Sequence, residues 1–160
     1  MKREFLKGFA MLALMVTLAL ATAVVSAKAQ SSDNKVIANV PFEFSVGYKT
    51  LPAGEYSVRS IASSANGLLI QSSDGKVSAL RLSAATQRIK DKHARLVFHR
   101  YGERYFLAEV WNGVDNTGRR LLKSQEESGI ESEFRLASSR ENAHAPNAIY
   151  ETVEVLAVLR

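Results

Sequence analysis

Apolar residues alternate with mostly polar ones in "KVIANVPFEFSV". Val36, Ala38, Val40, Phe42, Phe44 and Val46 fall on one side of an extended chain. A period of two predicts a half-buried β-strand. Pro41 has no N–H to give to a ladder, so it puts this strand at a sheet edge or bends it near its middle. "LPAG", Leu51 to Gly54, carries proline second and glycine fourth, a type I turn signature, and "EYSVRSI" returns as a second strand. "LLIQS" and "KVSALRLS" then flank Ser73-Asp74-Gly75. Asp-Gly between two strands is a type I′ hairpin signal, and it sets Ile70 opposite Ala79 and Leu69 opposite Leu80.

"RLVFHRYGERYFLAEVW", Arg95 to Trp111, is the next hairpin and admits two registers. A two-residue type II′ turn at Gly102-Glu103 pairs Tyr101 with Arg104, Arg100 with Tyr105 and Phe98 with Leu107. A three-residue loop instead pairs Phe98 with Phe106 and Arg95 with Glu109, which gives cleaner faces. The two-residue turn has the better turn chemistry and is preferred. In either register both faces carry apolar residues, which predicts central strands covered on both sides.

"NGVDNTG" reads as a loop and "RRLLKS" as a short strand ending at a helix start. Ser124 is the N-cap, and Glu127 completes an S-x-x-E capping box. Ile130, Phe134 and Ala137 share one helical face, and Glu131 and Arg135 form an i, i+4 pair. Gly129 weakens this helix by about 1 kcal/mol relative to alanine, so it depends on docking. Residues 138–149 read as a flexible connection. "ETVEVLAVLR" closes the chain as a strand with Val153, Val155, Ala157 and Leu159 on one face. The expected fold is all-β: an antiparallel sandwich or flattened barrel of about eight strands. One short helix before the last strand lies across an open end or edge.

The N-terminus changes the picture. Lys2, Arg3 and Lys7 precede an apolar run from Phe9 to Val25, and Ala27-Lys28-Ala29 matches an A-x-A cleavage pattern. Residues 1–29 are thus expected to be a cleaved signal peptide, with cutting between Ala29 and Gln30; Val25-Ser26-Ala27 is an earlier alternative. The remainder, residues 30–160, is one β-rich domain, with 36–127 its best-defined part. The chain has 21 basic and 16 acidic residues, a net charge of +5. Four of those basic residues and one acidic residue lie in the leader, which leaves 17 and 15. Such a balance, with no basic stripe beyond the short "QRIKDKHAR", excludes nucleic acid as an expected partner. Membrane contact is expected only through the signal peptide.

Candidate chemistry is sparse. There is no cysteine, which removes thiol catalysis, disulfides and cysteine–zinc sites. His93, His99 and His144 have no zinc spacing, and no G-x-S-x-G elbow occurs. Asp115-Asn116-Thr117-Gly118 offers oxygen atoms but not the spacing of a calcium loop, and Asx turns look the same without metal. Glu126, Glu127, Glu131 and Glu133 read as a solvated helix face. No cofactor, metal site or catalytic residue is expected. Trp111, Phe106, Phe98 and Tyr105 read first as core. The residues with a claim to touch a ligand or partner are His99, Tyr101, Tyr105 and Trp111.

"VPFEFSVGYKTLPAGEYSV", "LVFHRYGERYFLAEVW" and "GRRLLKS" together resemble a family of small exported bacterial proteins without assigned activity. The resemblance spans Val36 to Glu127. It implies an exported, all-β protein and transfers no catalytic residue. Family members often carry a small polar residue at the position of Tyr48, which implies a different loop tip in this chain.

Two functions fit these readings. One is a non-enzymatic interaction or structural module, periplasmic or extracellular, that binds an envelope macromolecule. The other is a carrier of a small apolar ligand inside a β-barrel, for which a pocket beside Trp111 is the discriminating feature.

Overall fold

The computed structural model describes residues 35–61, 66–87, 93–114, 116–141 and 149–160. The expected signal peptide and its cleavage site, His144 and Asp115 lie outside them, as does most of "QRIKDKHAR". Ten strands and one helix are described: β1 (Val36–Val40), β2 (Phe44–Val46), β3 (Lys49–Leu51), β4 (Gly54–Ile61), β5 (Gly67–Ser72), β6 (Ser78–Gln87), β7 (Arg95–Tyr101), β8 (Arg104–Trp111), β9 (Thr117–Leu121), α1 (Gln125–Glu141) and β10 (Glu151–Leu159).

Eight strands close into an antiparallel barrel in the order β8-β7-β10-β1-β4-β5-β6-β9, with β9 pairing back onto β8. The all-β expectation holds, and of its two forms the barrel is the one adopted. β2 and β3 are additional. Pro41 is the reason: it ends β1, and the chain turns away to form a separate hairpin, β2–β3, before β4 returns alongside β1. The stretch with one uninterrupted alternation is therefore two strands in different places. Its six apolar residues all pack inward or against the core.

Turn chemistry set both long hairpins. Ile70 faces Ala79 and Leu69 faces Leu80. The connecting turn is wider than a two-residue I′ turn: Ser72 and Val77 close it, and Ser72 O accepts from Gly75 N–H. Asp74 caps it by accepting from Ser72 Oγ and Lys76 N–H, and these bonds hold its carboxyl below the usual range. In the second hairpin Tyr101 faces Arg104 and Phe98 faces Leu107, with Gly102 at φ 62°. This is the two-residue register. A shift after Phe98 then pairs Val97 with Glu109, leaving Ala108 as the extra residue of a bulge. The bulge explains the mixed apolar pattern of β8. Tyr105, Leu107 and Val110 pack with the barrel core, while Phe106 and Trp111 are buried on the other side.

Among the described residues, the side chains that point into the barrel pack together. Val40, Leu51, Ile70, Leu96 and Phe98 have no exposed surface and belong to one contiguous cluster. Phe44 meets Tyr56 and Phe98 edge-on at centroid distances of 5.1 and 5.3 Å. An eight-stranded barrel is just wide enough for side chains to fill.

Helix α1 departs from expectation in two ways. It lies on the outside of the barrel against β7, not across an open end or edge: Phe134 meets Tyr101 edge-on, and Glu127 meets His99. It also runs on through Glu141, into the stretch expected to be a connection.

Closure leaves a narrow seam. β9 pairs with β8 only through Glu109, Val110 and Trp111. Trp111 lies directly on Gly118, where an added Cβ would sit 2.6 Å from the indole ring. Gly118→Ala is therefore expected to push the indole off the seam and cost about 1–3 kcal/mol, as overpacking does. Urea unfolding measures the cost, and the emission of Trp111, the chain's single tryptophan, reports the displacement.

Candidate functional site

The outer face of β7 and β8 carries the polar cluster picked out from sequence. His99 and Tyr101 project outward from β7, and Arg100 lies on the opposite face with Tyr105. Helix α1 and Tyr150 cover the outward pair. His99 packs on Tyr150 at 4.0 Å between centroids, and Tyr101 touches Tyr150, Phe106 and Phe134.

Glu127 ties this layer together. Ser124 Oγ accepts from Glu127 N–H at 3.1 Å, which is the expected N-cap. The other half of the capping box is replaced: the Glu127 carboxylate binds His99 Nδ1 at 2.9 Å. An ionised carboxylate can only accept, so Nδ1 carries the proton and a neutral ring keeps its lone pair on Nε2. Glu127 is only 4% exposed, which corrects its reading as part of a solvated face. Its partner lies 28 residues away in sequence, so helical periodicity could not show it. Glu126 and Glu131 remain on the surface side and are paired, Glu126 with Arg104 and Glu131 with Lys123 and Arg135. The Lys123 ammonium bond holds the Glu131 carboxyl below its usual value.

The Tyr101 hydroxyl is buried and makes no hydrogen bond of good geometry, although the Glu127 carboxylate lies near enough to act on it. Burial, then the nearby charge of Glu127, pushes its pKa well above that of a free tyrosine. The hydroxyl therefore stays neutral across the physiological range.

Beside this layer an open cleft of about 280 Å³ lies over the seam. His99, Trp111, Glu109, Arg120, Tyr150 and Thr152 line it, with Thr86 and Gln87 at its margin. Glu109 is its electrostatic centre: it accepts from Trp111 Nε1 at 3.0 Å and from Arg120 Nε at 2.9 Å. Of the four residues expected to touch a ligand, His99 and Trp111 meet in this cleft. Tyr101 stands under the helix layer. Tyr105 is on the opposite face, stacked on Phe42 at 3.9 Å. Trp111 is 3% exposed, so the cleft meets little of the indole. Glu109, Arg120, Tyr150 and Thr152 were missed because strands far apart in sequence assemble the cleft. Arg120 facing Glu109 follows only from the β8–β9 pairing.

Among the described residues no three His, Asp or Glu side chains gather as a metal site. His93 is exposed just before β7. Asn112 Oδ1 accepts from Val114 N–H at 3.1 Å, an Asx turn at the start of the loop considered for calcium. No described helix is long and apolar enough to cross a membrane. Compared with known protein families, curated proteins and solved structures, the chain matches none.

The two buried polar groups have opposite expected costs. Glu127→Ala removes the helix anchor and a charged hydrogen bond, and is expected to cost about 2 kcal/mol and to raise amide exchange throughout α1. Tyr101→Phe removes a buried hydroxyl that makes no hydrogen bond of good geometry, and is expected to be neutral or to stabilise by up to about 1 kcal/mol. Urea titration of both variants checks the contrast. Tyr101 also implies a sign with pH. A hydroxyl whose pKa is raised on folding leaves stability level with pH below the free-tyrosine value of 10.0 and makes it fall as pH rises beyond it, because the unfolded chain then loses its proton first. Tyr101→Phe should thus flatten the alkaline limb of the melting curve.

Proposed function

We propose that this chain is an exported, non-enzymatic binding module of the bacterial envelope or exterior, and that it meets a macromolecular partner at the cleft over the seam. The convergence of His99 and Trp111 carries this reading. The two residues come from adjacent strands, and they stand among donors and acceptors already held in place: Glu109 by two bonds and His99 by a buried carboxylate. Preformed polar groups on paired strands lose little freedom when a partner binds. The leader-like first 29 residues and the resemblance in the Val36–Glu127 blocks support export. The cleft beside Trp111, the feature expected of a carrier, is open and lined mostly by polar groups, which favours recognition on the outside over an apolar ligand carried within.

Gln87 at the cleft margin and Asn39 on β1 are both exposed. β1 stands four strands from β9 by either way round the barrel. A photo-crosslinking residue placed at each position, in the chain produced by an exporting bacterial host, tests the proposal. A discrete adduct from position 87 and none from position 39 is expected. Identical patterns from both positions, or no adduct from 87, would refute a partner at this cleft.

A further inference from the structure

A second surface, away from the seam cleft, has the opposite character. On β4, β5 and β6 the residues Ile61, Gly67 and Leu82 stand in register across three strands, with Leu80 and Leu69 in the next row. Leu80 and Leu82 are each 63% exposed and Leu122 is 57% exposed. Strand residues facing solvent are ordinarily polar, so adjacent exposed leucines are a feature to be explained. They are the walls of a groove. Ile61, Leu80, Leu82 and Leu122 enclose about 420 Å³ over Gly67, whose missing side chain leaves the floor open. That volume lies within the range of about 300–1,000 Å³ typical of small-molecule sites.

Arg59 ends the Leu69–Leu80 row on this surface, and the charged residue of the groove's own lining is Arg81. Its guanidinium packs beneath Gly47, faces the Tyr48 ring at 5.8 Å and donates from Nη2 to Leu122 O at 3.2 Å. Its Nε is buried without an acceptor, and no carboxylate of the described residues pairs with it. Arg100, Arg104, Arg120, Lys123 and Lys76, by contrast, each have an acidic partner. A cationic side chain with no carboxylate partner among the described residues, beside an apolar groove, is complementary to a ligand that brings both an aliphatic chain and an anion. Arg also suits a planar carboxylate, which it binds through two parallel N–H bonds.

We infer that this groove binds a single long-chain carboxylate, its alkyl chain lying over Gly67 between Leu80, Leu82 and Ile61 and its carboxylate turned to Arg81. A second copy of the chain is the less fitting occupant. A two-fold contact centred on the groove would bring two Arg81 guanidinium groups towards one another, and like charges oppose such a contact.

Dodecanoate and dodecanol, each competed against the fluorescent probe 11-(dansylamino)undecanoic acid on the full chain from an exporting host, test the assignment. Saturable probe binding is expected, with dodecanoate displacing the probe at about tenfold lower concentration than dodecanol, the difference a charge-assisted pair makes. Arg81→Gln should remove that preference. Gly67→Leu, which fills the floor, and Leu82→Ser, which alters only an exposed wall, should each weaken the probe at least fivefold while circular dichroism shows the fold intact. No saturable binding, equal competition by acid and alcohol, or unchanged binding in folded Gly67→Leu and Leu82→Ser would each overturn the inference. So would a concentration-dependent dimer, seen by sedimentation, that both variants dissolve and dodecanoate leaves intact.

Discussion

The whole fold depends on three residue pairs. A curved sheet of eight strands has two edges, and each edge exposes backbone groups until it is paired. Here the edges meet only where Glu109, Val110 and Trp111 face Arg120, Arg119 and Gly118. So short a ladder is reinforced by side chains in the same place. Glu109 holds Arg120 across the seam and Trp111 along its own strand. Trp111 lies flat on the one residue of β9 that has no side chain. Below that point β8 continues past the end of β9, and β2 takes over at Ser45, opposite Phe106. On the far side Lys49 of β3 donates to Ser78 O of β6. The β2–β3 hairpin therefore covers the half of the seam that β9 does not reach, and Arg81, packed beneath Gly47, helps hold it there.

This division accounts for what could and could not be seen in the residues alone. Hairpin register followed from Gly102-Glu103 and Asp74-Gly75, because turn geometry acts between neighbours in sequence. The last strand was legible from strict alternation of Val153, Val155, Ala157 and Leu159. Barrel closure was not. It needs the bulge at Ala108, which moves Glu109 and Trp111 into register with β9, and an extra residue in a continuous apolar run leaves no mark in the pattern. β2 was hidden for the opposite reason: its alternation continues unbroken through Pro41 although the chain changes partners there.

The candidate site shows the same limit. His99, Tyr101 and Trp111 were marked by their chemistry, but their roles depend on groups that arrive from other elements. Glu127 had a complete local explanation as a capping-box acid, and half of it is true. Its carboxylate nevertheless satisfies a histidine on the barrel, where local periodicity has nothing to say. The result is a helix with weak apolar patterning of its own, held by one buried hydrogen bond, one aromatic contact and surface ion pairs.

The packed core also constrains where binding can occur. The interior has committed its volume to Phe44, Tyr56, Phe98 and their aliphatic neighbours, and opening it would cost the packing that holds ten strands together. The outside is unevenly finished. Over the seam, charges are matched and donors have acceptors, which suits a polar partner that reads fixed groups. Over β4–β6, aliphatic side chains stand in water beside an arginine that no described carboxylate pairs. Burying those side chains gains free energy in proportion to the apolar area removed from water. The same act would desolvate Arg81, which is favourable only if the incoming group is an anion. These two requirements pull in opposite directions for a neutral lipid or a purely apolar peptide, and together for an amphiphilic acid.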